Sequence, residues 1–224
     1  MFEKTDQSSN TYYNERAPEY DDIYLGKALG ALDPSLYQKD IDTIGELCRR
    51  FGCGRVVDIG CGTGFWLSYY ARNCERILLC DTSENMLAQC EMRVKELGLS
   101  SRCDFIKGDF FEYDFSENSF NGCFVGFFIS HLFLEWERRF FTKVRKILKP
   151  CARIMLIDSA WSGERKKCRE KEGMQERILK NGRTFMVYKR YFDKSDMDEI
   201  FTSYGFTYES LYIGDVFFAV LAHI

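Results

Sequence analysis

Three aspartates, Asp58, Asp81 and Asp109, stand at or just past the ends of short apolar runs, and Gly60, Gly62 and Gly64 follow the first of them at alternate positions. A carboxylate accepts hydrogen bonds and donates none, so it suits a diol, an amino group or an ammonium. The glycines allow a tight turn and let a ligand approach bare backbone. A dinucleotide site asks for Gly-x-Gly-x-x-Gly, which brings a pyrophosphate to a helix N-terminus. Here the third glycine comes one residue early, and Phe65 stands where that pattern has glycine. Asp58 beside the turn would repel a phosphate and attract an ammonium. The ligand that fits is adenosine-like, cationic at its far end and free of phosphate. His131 and Tyr13 are the groups that could orient an acceptor or take its proton.

These side chains need a frame. Arg55 to Ile59 is a short, β-branched apolar run that reads as a buried strand, and Phe65 to Arg72 has the apolar content of a packed helix. Strand, glycine turn and helix form the opening unit of a doubly wound α/β sheet. Leu36 to Phe51 reads as an amphipathic helix ahead of it. Ile77 to Cys80 gives the second strand, with Asp81 at its end. Ser83 caps a helix that runs to Leu97 and stops at Gly98. Cys103 to Lys107 is the third strand, leading to Asp109. Ser119 to Leu132 holds the fourth strand and its exit, Leu134 to Leu148 a helix, and Arg153 to Asp158 the fifth strand. Asp158 and Trp161 are expected at the ligand side. Ser162 to Asn181 alternates charge signs as a solvated helix does, and Arg183 to Phe192 alternates like a strand and is expected to wall the pocket. A helix from Asp193 to Tyr204 and two closing strands, Phe206 to Ile213 and Val216 to Ile224, complete the chain.

Val57-Asp58-Ile59-Gly60-Cys61-Gly62-Thr63-Gly64 resembles motif I of the class I S-adenosylmethionine-dependent methyltransferases, and the similarity extends from about Cys48 to Asp158. Asp81-Thr82-Ser83-Glu84-Asn85-Met86-Leu87 resembles the family's Asp-x-Ser-x-x-Met-Leu. The resemblance implies a doubly wound, Rossmann-like α/β fold. Its seven-stranded mixed sheet would run in the order 3-2-1-4-5-7-6, with the last strand antiparallel. It implies S-adenosylmethionine as methyl donor and S-adenosylhomocysteine as product. Asp58 would meet the donor's ammonium and Asp81 the ribose hydroxyls, with Gly60, Gly62 and Thr82 also at the donor. Met86 would flank the adenine, Asp109 and the Phe110 backbone would meet the adenine edge, and Phe127 would sit at the fourth strand's exit. Met86 reads equally as core, and His131 as a polar residue at a helix start.

A Tyr-x-x-x-Ala-x-x-Tyr-Asp stretch, Tyr13 to Asp21, is similar to segments that cover the donor in small-molecule members such as the quinone-biosynthesis C-methyltransferases. It gives a helical lid over 1–45, ahead of a catalytic domain over 46–224 with a substrate-side insertion at about 161–192. The alternative is a surface helix. Exocyclic-amine methyltransferases carry Asn/Asp-Pro-Pro-Tyr/Phe after the fourth strand, whereas this chain has Gly126-Phe127-Phe128-Ile129. The aromatic exit favours a small organic acceptor for O-, N- or C-methylation. Two other readings stay open: an RNA or protein methyltransferase using the charged 163–190 stretch, and a donor-binding protein without transfer. Two departures from the family pattern, Asn121 for an acid and Cys151-Ala152 for a glycine pair, are expected to be structural, the second with some strain in the turn.

The 31 basic and 34 acidic residues nearly cancel, at −3, which argues against a generic nucleic-acid partner. No apolar run reaches the length of a membrane span, and the start lacks a signal-peptide core. The ten cysteines form no Cys-x-x-Cys and read as reduced thiols, and no zinc site is expected. A cytoplasmic protein is the expectation. Residues 1 to about 10 are polar and expected to be mobile.

Overall fold

The computed structural model describes residues 7–224. The expected mobile start lies, for residues 1–6, outside the described residues; from Gln7 onward the chain is helical. Helix α1 (Gln7–Arg16) runs into a 3-10 turn at Ala17–Ile23, and α2 (Pro34–Phe51) follows. Then come β1 (Gly54–Ile59), α3 (Leu67–Tyr70), β2 (Cys74–Asp81), α4 (Glu84–Glu96), β3 (Cys103–Lys107) and β4 (Phe120–Gly126). The second half holds α5 (Leu134–Ile147), β5 (Leu148–Ser159), α6 (Gly163–Lys166), β6 (Glu172–Ile178), β7 (Thr184–Arg190), α7 (Lys194–Ser203), β8 (Thr207–Ile213) and β9 (Phe217–His223).

Seven strands form one sheet in the order β3-β2-β1-β4-β5-β9-β8, and β6 pairs with β7 alone. With that hairpin left out, this is the expected 3-2-1-4-5-7-6. β1 to β5 are parallel, and β9 lies antiparallel between β5 and β8. Helices cover both faces, so the inner strands are apolar throughout rather than alternating. Val56 faces a core built with Ile44, Phe51 and Leu67 of α2 and α3. Its neighbour Val57 faces the opposite core, with Phe140, Phe141 and Phe201 of α5 and α7. Side chains one apart on a strand point to opposite faces, and this alternation decides the placement of Asp58 below.

Caps follow the expected chemistry. Ser83 Oγ accepts from the Met86 N–H at 3.2 Å to start α4, and Asp193 with Asp196 forms a capping box on α7. Asn121 is structural: its Oδ1 accepts from the Arg55 N–H at 3.1 Å and from Lys149 Nζ at 3.2 Å. The expected turn at Cys151-Ala152 lies within β5, at a register shift against β4, and Cys151 there takes the left-handed conformation, at φ 61°.

Three expectations need correction. The helix after the glycine turn is short: only Leu67–Tyr70 is α-helical, followed by a 3-10 turn. Bonds from Leu67 N to Gly64 O and from Tyr69 N to Trp66 O span three residues, and the aromatic cluster crowds a regular helical turn. The charged stretch is not one helix. After α6 it becomes strand β6, whose residues alternate between exposed and half-buried. A run of mixed charges has no apolar stripe, so its period does not separate strand from helix. Finally, α2 crosses the boundary set at residue 45. Its Ile44, Cys48 and Phe51 are fully buried in the main core, so only the segment before Pro34 is free to act as a cover.

Candidate active site

The carboxyl ends of β1, β2, β3 and β4 meet at one hollow. The order of strands reverses at β1, and open α/β sheets bind ligands at such a point. Gly60, Gly62 and Gly64 take φ values of 67°, 53° and 72°, a region costly for other residues. A Cβ on Gly60 would stand 2.8 Å from the Phe128 ring, and one on Gly64 would stand 2.8 Å from Cys90 Sγ. The turn is tied to β2: Gly60 N and Cys61 N donate to the Cys80 carbonyl at 2.8 and 3.1 Å. Gly62 N donates to Asp81 Oδ2 at 2.9 Å.

A cavity of about 190 Å³ opens above this turn. Gly60, Gly62, Asp81, Thr82 and Met86 line one side, and Asp109 and Phe110 the next. Phe127, His131 and Tyr13 close it. Each oxygen of Asp81 takes one backbone N–H, from Gly62 and from Ser83 at 2.9 Å. A carboxylate has about four acceptor sites, so capacity remains for a ligand's hydroxyl. Burial raises the Asp81 pKa from its ordinary value, opposed by the N–H groups of Ser83, Gly62 and Thr82. Asp109 Oδ1 accepts from Phe111 N at 2.8 Å. Met86 is both core and wall, 1% exposed. No lysine or arginine lines this cavity among the described residues.

Asp58 is the exception and a correction. It is absent from the cavity wall. Strand alternation turns it, like Val56, toward α2 and α3, where its Oδ2 accepts from the Tyr70 hydroxyl at 2.6 Å. It is 3% exposed. Burial lifts its pKa to about 7, against the pull of the Tyr70 bond and with a further push from Asp81. The hollow is therefore shared by two of the three acids.

Tyr13, Tyr20, Phe127 and His131 also line a second, larger cavity of about 720 Å³. These four side chains form the partition between the two. Phe127 holds φ at 56°, a conformation rare for an aromatic residue and common at functional sites. The His131 ring lies edge-on to Tyr13, with centroids 6.0 Å apart. Its Nδ1–H donates to the Tyr188 carbonyl at 2.8 Å. A carbonyl only accepts, so the proton sits on Nδ1 and Nε2 keeps its lone pair. Burial, then the charge of Lys189, holds the His131 pKa well below its ordinary value.

The far wall of the larger cavity comes from the β6–β7 hairpin, as expected of the 183–192 stretch. Lys189 is buried there. Its Nζ donates to Ser130 Oγ at 2.6 Å and meets Asp158 Oδ1 at 3.1 Å. Asp158 also accepts from Ser130 N at 3.0 Å. It is thus a fully buried anchor rather than an acceptor contact, and Trp161 lines neither cavity; both depart from the expectation. Sequence reasoning missed Tyr20, Tyr70, Arg16 and Lys189. Tyr20 alone carried a signal, within the Tyr-x-x-x-Ala-x-x-Tyr-Asp stretch. The others matter through where the fold places them: Tyr70 beneath Asp58, and Arg16 and Lys189 on the wall of the larger cavity.

An acid-walled cavity over a glycine turn thus lies at the switch point of the sheet, where open α/β proteins bind their ligands. A family model described as a methyltransferase domain matches residues 56–151. Sterol 24-C-methyltransferase of Saccharomyces cerevisiae is 38% identical over 68 residues, 30% of this chain and 18% of its own. Demethylmenaquinone methyltransferase of Bacteroides fragilis is 24% identical over 157 residues, 69% of this chain and 61% of its own. The chain spans less than two thirds of the length of these curated relatives. Among solved structures, the DhpI-SAM-HEP complex matches with a TM-score of 0.75 at 22% identity, covering 98% of this chain and 99% of its own. Residues 56–151 are thus similar to a methyltransferase domain, and the whole chain shares the fold of the DhpI-SAM-HEP complex.

Proposed function

We propose that the chain transfers a methyl group from S-adenosylmethionine to a small-molecule acceptor. One observation carries this reading: an acid-lined cavity without cations shares a four-residue partition with a larger cavity. The smaller one fits the donor's chemistry, with carboxylates for a diol and an amino group, apolar surface for a base, and nothing to hold a phosphate. S-adenosylmethionine held there would supply an electrophilic methyl, its S–CH3 bond breaking as the acceptor bonds to that carbon and S-adenosylhomocysteine leaves with the electron pair. Asp81 takes the ribose hydroxyls, and Asp109 with the Phe110 backbone takes the adenine edge. Asp58 acts at one remove, by bracing the turn through Tyr70. His131 stays neutral, and its Nε2 orients the acceptor or takes its proton; Tyr13 beside it screens the transfer from water.

The segment before Pro34 serves as the lid. Asn14 Oδ1 accepts from Ser83 Oγ at 2.7 Å and from Asn85 N at 3.2 Å, which pins α1 to the start of α4. Asp21 pairs with Arg93 at 2.6 Å and accepts from the Thr63 hydroxyl at 2.5 Å. A recognition surface for RNA gains little support, since Arg165, Arg177 and Lys189 of the charged stretch line the cavity.

Asp81→Ala tests the donor site. Titration calorimetry with S-adenosylmethionine should show a loss of about 1.5–3 kcal/mol, the range for hydrogen bonds to a charged group. Wild-type affinity in the variant would sink the assignment. Labelled donor incubated with a metabolite extract separates an enzyme from a binder, because only an enzyme yields labelled product.

A further inference from the structure

The larger cavity is positive where it is deep. Arg16, Arg165 and Lys189 on its wall are only 6%, 8% and 5% exposed. Arg169 and Arg177 on the same wall are half-buried. The carboxylates of that wall, Glu170, Glu172 and Glu176, are all exposed to water. Water screens charges at the rim far better than charges inside, so the acids do not cancel the buried cations.

Nor do ion pairs cancel them. Lys189 has Asp158, but among the described residues no carboxylate pairs with any of the four arginines. Their hydrogen bonds go to neutral oxygens. Arg16 donates to the Tyr12 hydroxyl, Arg165 to the Val216 carbonyl at 3.3 Å and Arg169 to the Gly30 carbonyl at 3.3 Å. Arg177 donates to Gln175 Oε1 at 2.8 Å. The Nε atoms of Arg16 and Arg165 have no partner among the described residues. A guanidinium does not deprotonate at any ordinary pH, and burying a cation without a counter-charge is costly.

Two side chains lie within this field. Burial pushes the Tyr191 phenol up, yet Lys189, Arg165, Arg177 and Arg169 around it leave its pKa lowered overall. His131 is lowered by burial, and the same field of Lys189, Arg177 and Arg16 adds to it. The smaller cavity, across the partition, holds carboxylates and no cation. The molecule separates charge: negative where a cationic donor would sit, positive where its acceptor would sit.

We propose that the acceptor is a small oxyanion, bearing a carboxylate, phosphoryl or sulfonyl group, held by Arg16, Arg165, Arg169 and Arg177 in the larger cavity beside His131. The word acceptor rests on the methyl-transfer reading; the anion site itself does not. Four planar donor forks round one hollow suit the oxygens of such a group. A volume of about 720 Å³ is that of a small-molecule site, too confined for a folded partner.

The test is titration calorimetry of the whole chain with succinate, inorganic phosphate and sulfate as probes, and S-adenosylmethionine titrated in parallel. At least one probe should bind, more weakly as sodium chloride is raised. Arg177→Gln and Arg169→Gln should each weaken it by about tenfold or more, the loss of a charge-assisted contact. Both side chains are half-buried, and unchanged affinity for S-adenosylmethionine verifies that the variants fold. Succinate binding alone would assign a carboxylate acceptor, and binding of phosphate or sulfate a tetrahedral one. The proposal is overturned if no probe binds at millimolar concentration while S-adenosylmethionine does, or if both variants bind the probes like the wild type. Loss of donor binding with intact probe binding would instead overturn the methyl-transfer reading and leave the anion site standing.

Discussion

At Asp58 a family motif and a strand's geometry make different demands. The motif suggests a donor ligand. Alternation along β1 turns the side chain away from the cavity and under Tyr70, where burial keeps its pKa near 7 rather than the ordinary 3.8. A group with a raised folded pKa binds a proton more tightly in the folded state. Its stabilising effect is full below 3.8 and is lost as pH rises through about 7. Asp58→Asn removes that titration. Thermal melts at about pH 5 and about pH 8 should show a smaller fall with pH in the variant than in the wild type, by up to a few kcal/mol. Parallel pH dependence in the two proteins would show that Asp58 is not the group responsible. His131 works in the opposite sense, since its lowered pKa favours the folded state above the ordinary histidine range. Comparing variant with wild type isolates the aspartate.

At the scale of elements, β5 carries a strained residue where its pairing with β4 shifts register. Cys151 holds φ at 61° at an exposed site. A left-handed residue with a Cβ costs roughly 1–2 kcal/mol, and glycine gives part of that back as unfolded-state entropy. Cys151→Gly should therefore stabilise the chain by about 0.5–1 kcal/mol, read as a higher urea midpoint at unchanged slope. A lower midpoint would mean that the cysteine makes contacts worth more than its strain. The charged stretch teaches the converse. Its alternating signs suited a helix, but the Glu172–Ile178 strand pairs with Thr184–Arg190, and only the partner strand revealed the period.

Over the whole molecule, the segment before Pro34 ties the start of α4 to the β6–β7 hairpin. Asn14 binds the start of α4. Glu15 pairs with Arg183, and Asp22 with Lys180, at the turn of the β6–β7 hairpin. Cover and hairpin should therefore order together. Hydrogen exchange with S-adenosylhomocysteine present should show added protection in residues 10–23 and in 179–183 as well as in the glycine turn. Protection confined to the turn would remove the lid from the account.

The order of sheet strands was legible only through the family resemblance, whereas the glycine turn and the places of Asp81 and Asp109 were legible in the residues themselves. Each depends on a few consecutive residues: an apolar run, a glycine where φ must be positive, a cap at a helix start. The second cavity was not legible. Arg16, Arg165, Arg177 and Lys189 lie on α1, α6, β6 and β7, and each alone looks like an ordinary surface charge. Their meaning comes from gathering round one hollow, the arginines without a paired carboxylate among the described residues, and from which face of a strand or hairpin each side chain takes. Composition and local spacing carry no record of either, because desolvation and Coulomb interaction depend on distance in space and not on separation along the chain.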